Sequence, residues 1–256
     1  MQLDFAITLQ DIIVFFIAVL YALLVLVIGD VARRKLNVGS DFTRKIVHLF
    51  AGAAVWTVPY YTHSYVATFV ALLFTIFLIF ASNERFSKFF SAMARPEDVE
   101  HGSVRGPFWY ACSITILTGI FTFLQLDTIY FIAAASIHMM MFGDGLSAPI
   151  GMKYGKNHTV TILGSKRSLQ GSIALFVFAF LGAMLAFWFF GIYNYGTLAP
   201  SGSILWTQIL ITALVGSLAA TLVEFVSPKG TDNITLPFTT CVVMLIVGII
   251  LGIVVI

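Results

Sequence analysis

The stretch "DIIVFFIAVLYALLVLVIG", residues 11–29, is apolar over almost its whole length and carries no charge after Asp11. A helix of roughly 20 apolar residues crosses the hydrocarbon core of a bilayer, which is about 30 Å thick. Further apolar segments of similar character follow along the chain, at about 46–61, 64–82, 106–125, 128–143, 171–190, 204–226 and 236–256. The sequence therefore predicts an all-α fold, a polytopic integral membrane helix bundle with about eight transmembrane helices.

The composition agrees with this class of fold. Hydrophobic residues make up 59% of the chain and charged residues only 10%, against about 25% charged residues in a typical soluble domain. We expect one transmembrane domain, 1–256, and no separate soluble domain. The first segment follows Asp4 and Asp11 and lacks a small-residue cleavage site, which predicts a retained span and not a signal peptide. Cys112 and Cys241 lie in apolar segments, which predicts reduced, structural thiols and no disulfide or metal site.

The positive charges are distributed unevenly about the predicted spans. All 14 Lys and Arg residues fall in connections on one side of an eight-span arrangement. The positive-inside rule predicts that this side is cytoplasmic, so we expect a multi-pass protein with its active site facing the cytoplasm. The polar residues that could carry chemistry lie in the same connections, at about 30–48, 83–105, 143–172 and 224–237.

The second of these connections begins with "NERFSKFFSAM", residues 83–93. Its apolar residues recur at helical spacing, with cations beside them: Phe86, Phe89, Phe90 and Met93. Such a pattern predicts a short amphipathic helix at the membrane surface. An interfacial anchor is the simpler interpretation, and a lid over a lipid substrate is the alternative.

The segment "DFTRKIVHLFAG", residues 41–52, places cations at the beginning of a predicted span. Arg44, Lys45 and His48 lie three and four residues apart, so they share one helix face. Cations at a helix N-terminus oppose the macrodipole, and a bound anion would offset that cost. Ordinary anchoring by a positively charged connection is the alternative interpretation.

Residues 143–174 combine a carboxylate, glycines and basic residues. Asp144 follows an apolar run, glycines stand at 145, 151, 155 and 164, and "GSKRSLQGS" occupies 164–172. Glycines allow backbone N–H groups to approach phosphate oxygens, and Lys166 and Arg167 add positive charge. Ser168 could donate to a phosphate or bind Mg²⁺. The P-loop pattern is absent, and a basic loop that binds lipid headgroups is the alternative.

A third group lies at residues 221–238, "TLVEFVSPKGTDNITLPF". Glu224 shares a small-residue helix face with Gly216 and Ala220, which predicts that it points into the bundle. Ionisable residues within membrane spans are functional candidates. Asp232 and Asn233 follow in a turn, where capping of the last predicted helix is an alternative role for either residue.

The three groups together suit phosphoryl transfer. Asp144, Glu224 and Asp232 are hard oxygen ligands on the predicted cytoplasmic side, and Mg²⁺ prefers one or two carboxylates plus substrate phosphates. Phosphoryl transfer depends on positioning, a metal and cationic screening more than on covalent chemistry. The cations that could surround a triphosphate are Arg44, Lys45, Lys166 and Arg167.

These blocks resemble the CTP-dependent polyprenol kinase family, which includes dolichol kinase, phytol kinase and CTP-using diacylglycerol kinases. "RKIVH", residues 44–48, resembles its first block, and "GDGLSAPIGMKYG", residues 143–155, its glycine–aspartate block. "GSKRSLQGSIA", residues 164–174, resembles its basic run, with Gln170 where many members carry Glu. The last block resembles an E…DN…P signature, here Glu224, Asp232, Asn233 and Pro237.

The resemblance implies CTP as phosphoryl donor, Mg²⁺ as cofactor and an isoprenoid alcohol as acceptor. It implies Asp144 and Asp232 as metal ligands, with Glu224 as a third candidate. The general base is left open among Asp144, Asp232 and His48, and Lys45 joins them in the catalytic set. The groups expected to hold the nucleotide are Arg44, Gly151, Gly155, Lys166, Arg167, Ser168, Gly171, Ser172 and Asn233. The expected partners are CTP, a lipid alcohol and membrane lipids, with no nucleic acid, and the oligomeric state is open.

Two other functions use some of the same groups. A CTP-dependent cytidylyltransferase would make a CDP-lipid and release pyrophosphate. A transporter would place Asp144 and Glu224 in an ion path, but the chain shows no internal repeat of the kind many transporters have. Its polar residues also gather at one side of the predicted bundle instead of at the midplane.

Overall fold

The computed structural model describes residues 6–36, 40–81, 105–155, 159–193, 198, 200, 202–228 and 230–255. The chain forms two compact units, Met1–Gln125 and Leu126–Ile256. The interfacial helix predicted at 83–93 lies outside the described residues, so that interpretation stays a prediction.

The N-terminal unit is helical in its described parts. Its elements are α1 (Leu9–Leu36), α2 (Ser40–Ala51), a 3-10 helix (Gly52–Tyr60), α3 (Val66–Ala81) and α4 (Arg105–Phe123). Helix α1 packs against α2 and the 3-10 helix, and α3 packs against α4. Hydroxyl groups join the second pair, because the Oγ1 atoms of Thr68 and Thr122 lie 3.2 Å apart and those of Thr75 and Thr115 lie 3.1 Å apart. Hydroxyl hydrogen bonds of this kind stabilise helix pairs in membranes, where hydrophobic association is weak.

A buried carboxylate fixes the start of α1. Asp11 is fully buried and accepts hydrogen bonds from the backbone N–H and the hydroxyl of Thr8, at 2.9 and 2.8 Å. The backbone N–H of His63 lies 3.0 Å from its Oδ1, and the His63 Nδ1 lies 2.8 Å from its Oδ2. Asp11 therefore joins the first turn of α1 to the segment that precedes α3.

Replacing Asp11 with asparagine is expected to destabilise the N-terminal unit. The new NH₂ group would face the donors that now bond Oδ2, and hydrogen bonds to a charged group contribute about 1.5–3 kcal/mol each. We therefore expect the free energy of unfolding to fall by about 3 kcal/mol, measured as a lower midpoint of thermal unfolding in detergent. Thr62→Ala is the control, because it removes only an exposed hydroxyl contact to Thr8 at the same corner. Equal midpoints for Asp11→Asn and the wild type would contradict this role.

The C-terminal unit contains helices and one short hairpin. Its elements are a 3-10 turn (Asp127–Ile129), α5 (Tyr130–His138), a π-helical segment (Met139–Asp144), α6 (Gly145–Tyr154), β1 (Thr159–Ile162), β2 (Ser165–Ser168), α7 (Leu169–Ala186), a second π-helical segment (Phe187–Tyr193), α8 (Trp206–Val226) and α9 (Asp232–Ile250). The stretch Asp127–Tyr154 is the central helix of this unit, because 89% of an 18-residue apolar window within it is buried. Helices α7 and α9 pack against α5, and the first π-helical segment contacts α7, α8 and α9.

Small residues allow close approach to the central helix. A Cβ atom added to Gly182 of α7 would lie 2.7 Å from the carbonyl oxygen of His138. One added to Gly216 of α8 would lie 2.7 Å from the side chain of Met139 and 2.8 Å from that of Met244. Close packing of small residues is the common way in which helices associate in membranes.

The all-α polytopic membrane bundle is confirmed. Among the described residues, six helices are long and apolar enough to cross a membrane, and Val66–Phe80 is a shorter apolar helix. The predicted span 46–61 comprises the end of α2 and the 3-10 helix. Pro59 lacks a backbone N–H, and Tyr61 is extended, so the segment ends there. The exact number of eight spans stays a prediction.

The predicted end of a span at Gly143 is wrong. The helix continues through Asp144 to Tyr154. Apolarity falls at this point because residues 143–155 include Asp144, Lys153 and several small residues. The helix nevertheless continues, and its small residues pack against α7. Gly143 lies against Ala179, and Gly151 lies against Gly171. Asp144 is therefore inside a continuous helical stretch and not at its end.

Candidate active site

The predicted basic cluster of the N-terminal unit lies on α2. Lys45 and His48 are only 6% and 7% exposed, and Arg44 is half-buried. The ring of Tyr110, on α4, lies 4.0 Å from the His48 ring between centroids, and its hydroxyl donates to the His48 carbonyl oxygen at 2.7 Å. Lys45 and His48 are therefore less accessible than the side chains of a surface anchor, and an anion-binding role for this cluster stays a prediction.

The glycines of the second cluster have a packing role in the C-terminal unit. Ser168 is the N-cap of α7, and its Oγ accepts the Gly171 N–H at 3.1 Å. A Cβ atom added to Gly151 would lie 2.8 Å from that Oγ, and one added to Gly155 would overlap the Ser168 side chain. The end of α6 can therefore reach the first turn of α7 only because both positions are glycine.

The basic run forms a β-hairpin followed by a helix, where the sequence suggested an open loop. Strands β1 and β2 are antiparallel, with Ile162 paired to Ser165. The intervening residues Leu163 and Gly164 have φ angles of 47° and 78°, as a two-residue hairpin turn requires. Because side chains alternate along a strand, Lys166 is exposed and Arg167 is not.

Arg167 and Glu224 form an ion pair between Nη1 and Oε1. Their side chains are 13% and 7% exposed. The Nε and Nη2 atoms of Arg167 are buried and have no hydrogen-bond partner among the described residues, and the same holds for Oε1 of Gln170. The structure therefore joins a predicted phosphate-binding residue to a predicted metal ligand.

The remaining predicted carboxylates are also buried. Asp144 is 5% exposed and Asp232 8% exposed, and Asn233 is buried beside it. Asp232 is the first residue of α9, and its Oδ1 accepts the Asn233 N–H at 3.1 Å. Thr231 occupies the N-cap position, and a helix-capping role for Asp232 or Asn233 stays an open alternative. Ser172 lies in the first turn of α7 and is half-buried.

The chain is similar to proteins named phytol kinase or probable phytol kinase. It is 28% identical to the probable chloroplastic phytol kinase 1 of Oryza sativa subsp. japonica over 226 residues, 83% of this chain and 65% of the rice protein. It is 27% identical to the phytol kinase of Synechocystis over 209 residues, 80% of this chain and 78% of that protein. It is 26% identical to the chloroplastic phytol kinase 1 of Arabidopsis thaliana over 237 residues, 88% of this chain and 72% of that protein.

The resemblance to the polyprenol kinase family is confirmed. No protein-family model matches the chain, and no solved structure matches it. The chain spans just under two thirds of the rice relative and about three quarters of the Arabidopsis and Synechocystis relatives.

Magnesium binding by this polyprenol kinase relative stays a prediction. In the described part of the chain, no three His, Cys, Asp or Glu side chains are grouped closely enough to hold a metal ion. Mg²⁺ needs only one or two carboxylates when substrate phosphates supply other ligands, and buried carboxylate oxygens suit it chemically. Asp144 and Asp232 stay the predicted ligands, with Glu224, which is paired with Arg167, as the third candidate.

Sequence reasoning missed Tyr110 and the pairing of Arg167 with Glu224. Tyr110 lies within an apolar segment, where its ring is typical of a membrane span and gives no sign of a contact with His48. Arg167 and Glu224 are 57 residues apart, and only the folded structure shows that the side chain of Arg167, on β2, meets that of Glu224, on α8. The small-residue face of Glu224 was the one available signal, and it correctly predicted a buried side chain.

Proposed function

We propose that this chain is a membrane lipid kinase that transfers the γ-phosphate of CTP to an isoprenoid alcohol. The products would be the isoprenyl monophosphate and CDP. The similarity to proteins named phytol kinase, over 80% or more of this chain, is the observation that carries the proposal. The positive-inside distribution of Lys and Arg supports a site that faces the cytoplasm.

The proposed reaction forms one bond to the γ-phosphorus, breaks another and transfers one proton. The alcohol oxygen forms a bond to the γ-phosphorus, the bond from that phosphorus to the β,γ-bridging oxygen breaks, and the alcohol proton passes to a base. Lys166 and Arg167 would bind the phosphates, and Asp144, Asp232 or His48 would accept the proton. Mg²⁺, when held by Asp144 and Asp232, would screen the charge that develops on the phosphates.

The test uses the purified chain in detergent, Mg²⁺ and a panel of alcohols: phytol, geranylgeraniol, dolichol and diacylglycerol. With CTP labelled at the γ-phosphate, we expect label in an isoprenyl monophosphate. Competition by unlabelled ATP, GTP and UTP then tests the donor, and we expect unlabelled CTP to compete best.

Other outcomes identify the alternatives. Transfer of label from the α-phosphate of CTP into lipid would identify a cytidylyltransferase and contradict the kinase. Charge movement across proteoliposomes that depends on a substrate but consumes no nucleotide would identify a transporter.

Lys166→Ala is expected to raise the KM for the nucleotide by about 10-fold, because a hydrogen bond to a charged group contributes about 1.5–3 kcal/mol. The KM for the lipid alcohol should change far less, since Lys166 is proposed to contact phosphate only. Lys153→Ala is the matched control, because Lys153 is also exposed but lies on α6 over the Tyr154 ring. Unchanged KM values for both substrates would remove Lys166 from the phosphate site.

A further inference from the structure

We propose that Glu224 is a positioning residue that holds the Arg167 guanidinium for an oxyanion, and not a ligand of the metal. The proposal rests on the proposed function in one respect, because it identifies the oxyanion as a phosphate of the nucleotide. Three features of the C-terminal unit carry it: the ion pair, the unused donors of Arg167, and the position of both residues at helix ends.

The ion pair accounts for the burial of both charges. A buried guanidinium requires a counter-charge. Removing one partner of such a pair leaves a buried charge without compensation, which strongly destabilises the protein. Glu224 supplies this counter-charge through Oε1, which contacts Nη1 of Arg167. A carboxylate so engaged is a poorer ligand for Mg²⁺, because a metal and a guanidinium would compete for its negative charge.

The remaining donors of Arg167 point to a ligand. Nε and Nη2 form the second edge of the planar guanidinium, whose spacing matches two oxygens of a phosphate or carboxylate. In the part of the chain that the structure describes, both atoms are buried and lack a hydrogen-bond partner. Unsatisfied buried donors are costly, and an oxyanion that accepts from both would remove that cost. Glu224 therefore leaves free the edge that suits a bidentate anion.

The helix ends make the arrangement electrostatically consistent. Arg167 immediately precedes Ser168, the N-cap of α7, where the helix dipole favours an anion. Glu224 lies in the last turn of α8, Trp206–Val226, where the dipole disfavours a carboxylate. The ion pair offsets this unfavourable position of Glu224, and the backbone of Arg167 lies beside a helix end that attracts negative charge.

The test measures binding of inorganic tripolyphosphate to the full chain in detergent, without Mg²⁺, by equilibrium dialysis. Arg167→Gln is expected to weaken binding about 10- to 100-fold, the range for a hydrogen bond to a charged group. Glu224→Asp keeps the charge but shortens the side chain, so we expect binding about 3- to 10-fold weaker through displacement of Arg167. In the Arg167→Gln background, Glu224→Asp should change binding by less than about two-fold, because the two residues act as one unit.

Glu224→Gln is a second test, because a positioning role and a purely electrostatic role of Glu224 predict opposite changes in tripolyphosphate binding. If Glu224 only repelled anions, its neutralisation would tighten tripolyphosphate binding, whereas a positioning role predicts weaker binding. The double variant Arg167→Gln/Glu224→Gln has no unpaired buried charge and should bind as weakly as Arg167→Gln. Tighter or unchanged binding by Glu224→Asp and Glu224→Gln would overturn the proposal, and so would additive effects with Arg167→Gln.

Kinetics then separate this proposal from the proposed function. A positioning role predicts that Glu224→Asp raises the KM for the nucleotide and leaves the Mg²⁺ concentration for half-maximal activity unchanged. A shift in that Mg²⁺ concentration with normal tripolyphosphate binding would assign Glu224 to the metal and overturn the proposal. If the wild type binds tripolyphosphate through Arg167 and Glu224 but phosphorylates no alcohol, the kinase function alone fails.

Discussion

Replacing Asp144 with asparagine is expected to lower the kcat of lipid phosphorylation by about 10²–10³-fold, the usual effect of losing one electrostatic contact to the transition state. The substitution removes a negative charge and one oxygen ligand but keeps the size of the side chain. Asp144 is 5% exposed, in the π-helical segment of the central helix. Because its neighbour Gly143 packs against Ala179, a larger replacement would confound the result, whereas asparagine fits the same space.

Two measurements separate catalysis from folding in this variant. The variant should stay folded in detergent, as a cooperative thermal unfolding transition would show, because asparagine keeps the size of the side chain. Asp127→Asn is the matched control, because it makes the same substitution at the first residue of the helical stretch Asp127–Tyr154, 17 residues before Asp144. We expect Asp127→Asn to retain activity. Turnover by Asp144→Asn at the wild-type rate would exclude Asp144 from the active site.

The class of fold was predictable because a bilayer imposes a single strong condition on sequence. Spanning segments must be long, apolar and internally hydrogen-bonded, and residues 11–29 meet that condition with few alternatives. At 46–61 the same reasoning gave no sign of the 3-10 helix, because apolarity does not distinguish an α-helix from a 3-10 helix. Hydropathy also misplaced the end of the central helix, since it scores Gly143 and Asp144 by their polarity and not by what they pack against.

The candidate site was predictable in its residue types and much less in their roles. The burial of Glu224 follows from its position on a small-residue helix face. The burial of Asp144 and Asp232 does not, because the sequence pattern places Asp144 at the end of an apolar run and Asp232 in a turn. The contacts of these side chains do not follow from the sequence, because a pair such as Arg167 and Glu224 joins residues 57 positions apart. The glycines show the same limit, since a flexible phosphate loop and a tight helix contact both require glycine.

Replacing Gly155 with alanine is expected to lower the kcat of lipid phosphorylation by about 100-fold, which a displacement of about 1 Å at a site can cause. Gly155 has a φ angle of −98°, which alanine also adopts, so backbone strain is not the reason. The added Cβ would lie 2.6 Å from the Gly151 carbonyl oxygen and would overlap Ser168. Backbone atoms cannot yield cheaply, so the end of α6 must move away from the first turn of α7.

The helix contact also predicts a loss of stability, which a phosphate loop would not. Overpacking costs about 1–3 kcal/mol, so the thermal midpoint of Gly155→Ala should fall together with its activity, whereas Gly202→Ala should change neither. The added Cβ at Gly202 meets nothing within 4 Å.

A double-mutant cycle identifies the atom responsible for the tight contact. The Cβ of Gly151→Ala would lie 2.8 Å from the Ser168 Oγ, so Ser168→Ala should relieve that clash, although loss of the N-cap itself costs about 1 kcal/mol. We therefore expect Gly151→Ala to destabilise the protein less in the Ser168→Ala background than in the wild type. A normal midpoint for Gly155→Ala with weakened nucleotide binding, together with additive effects at Gly151 and Ser168, would show instead that these glycines contact phosphate.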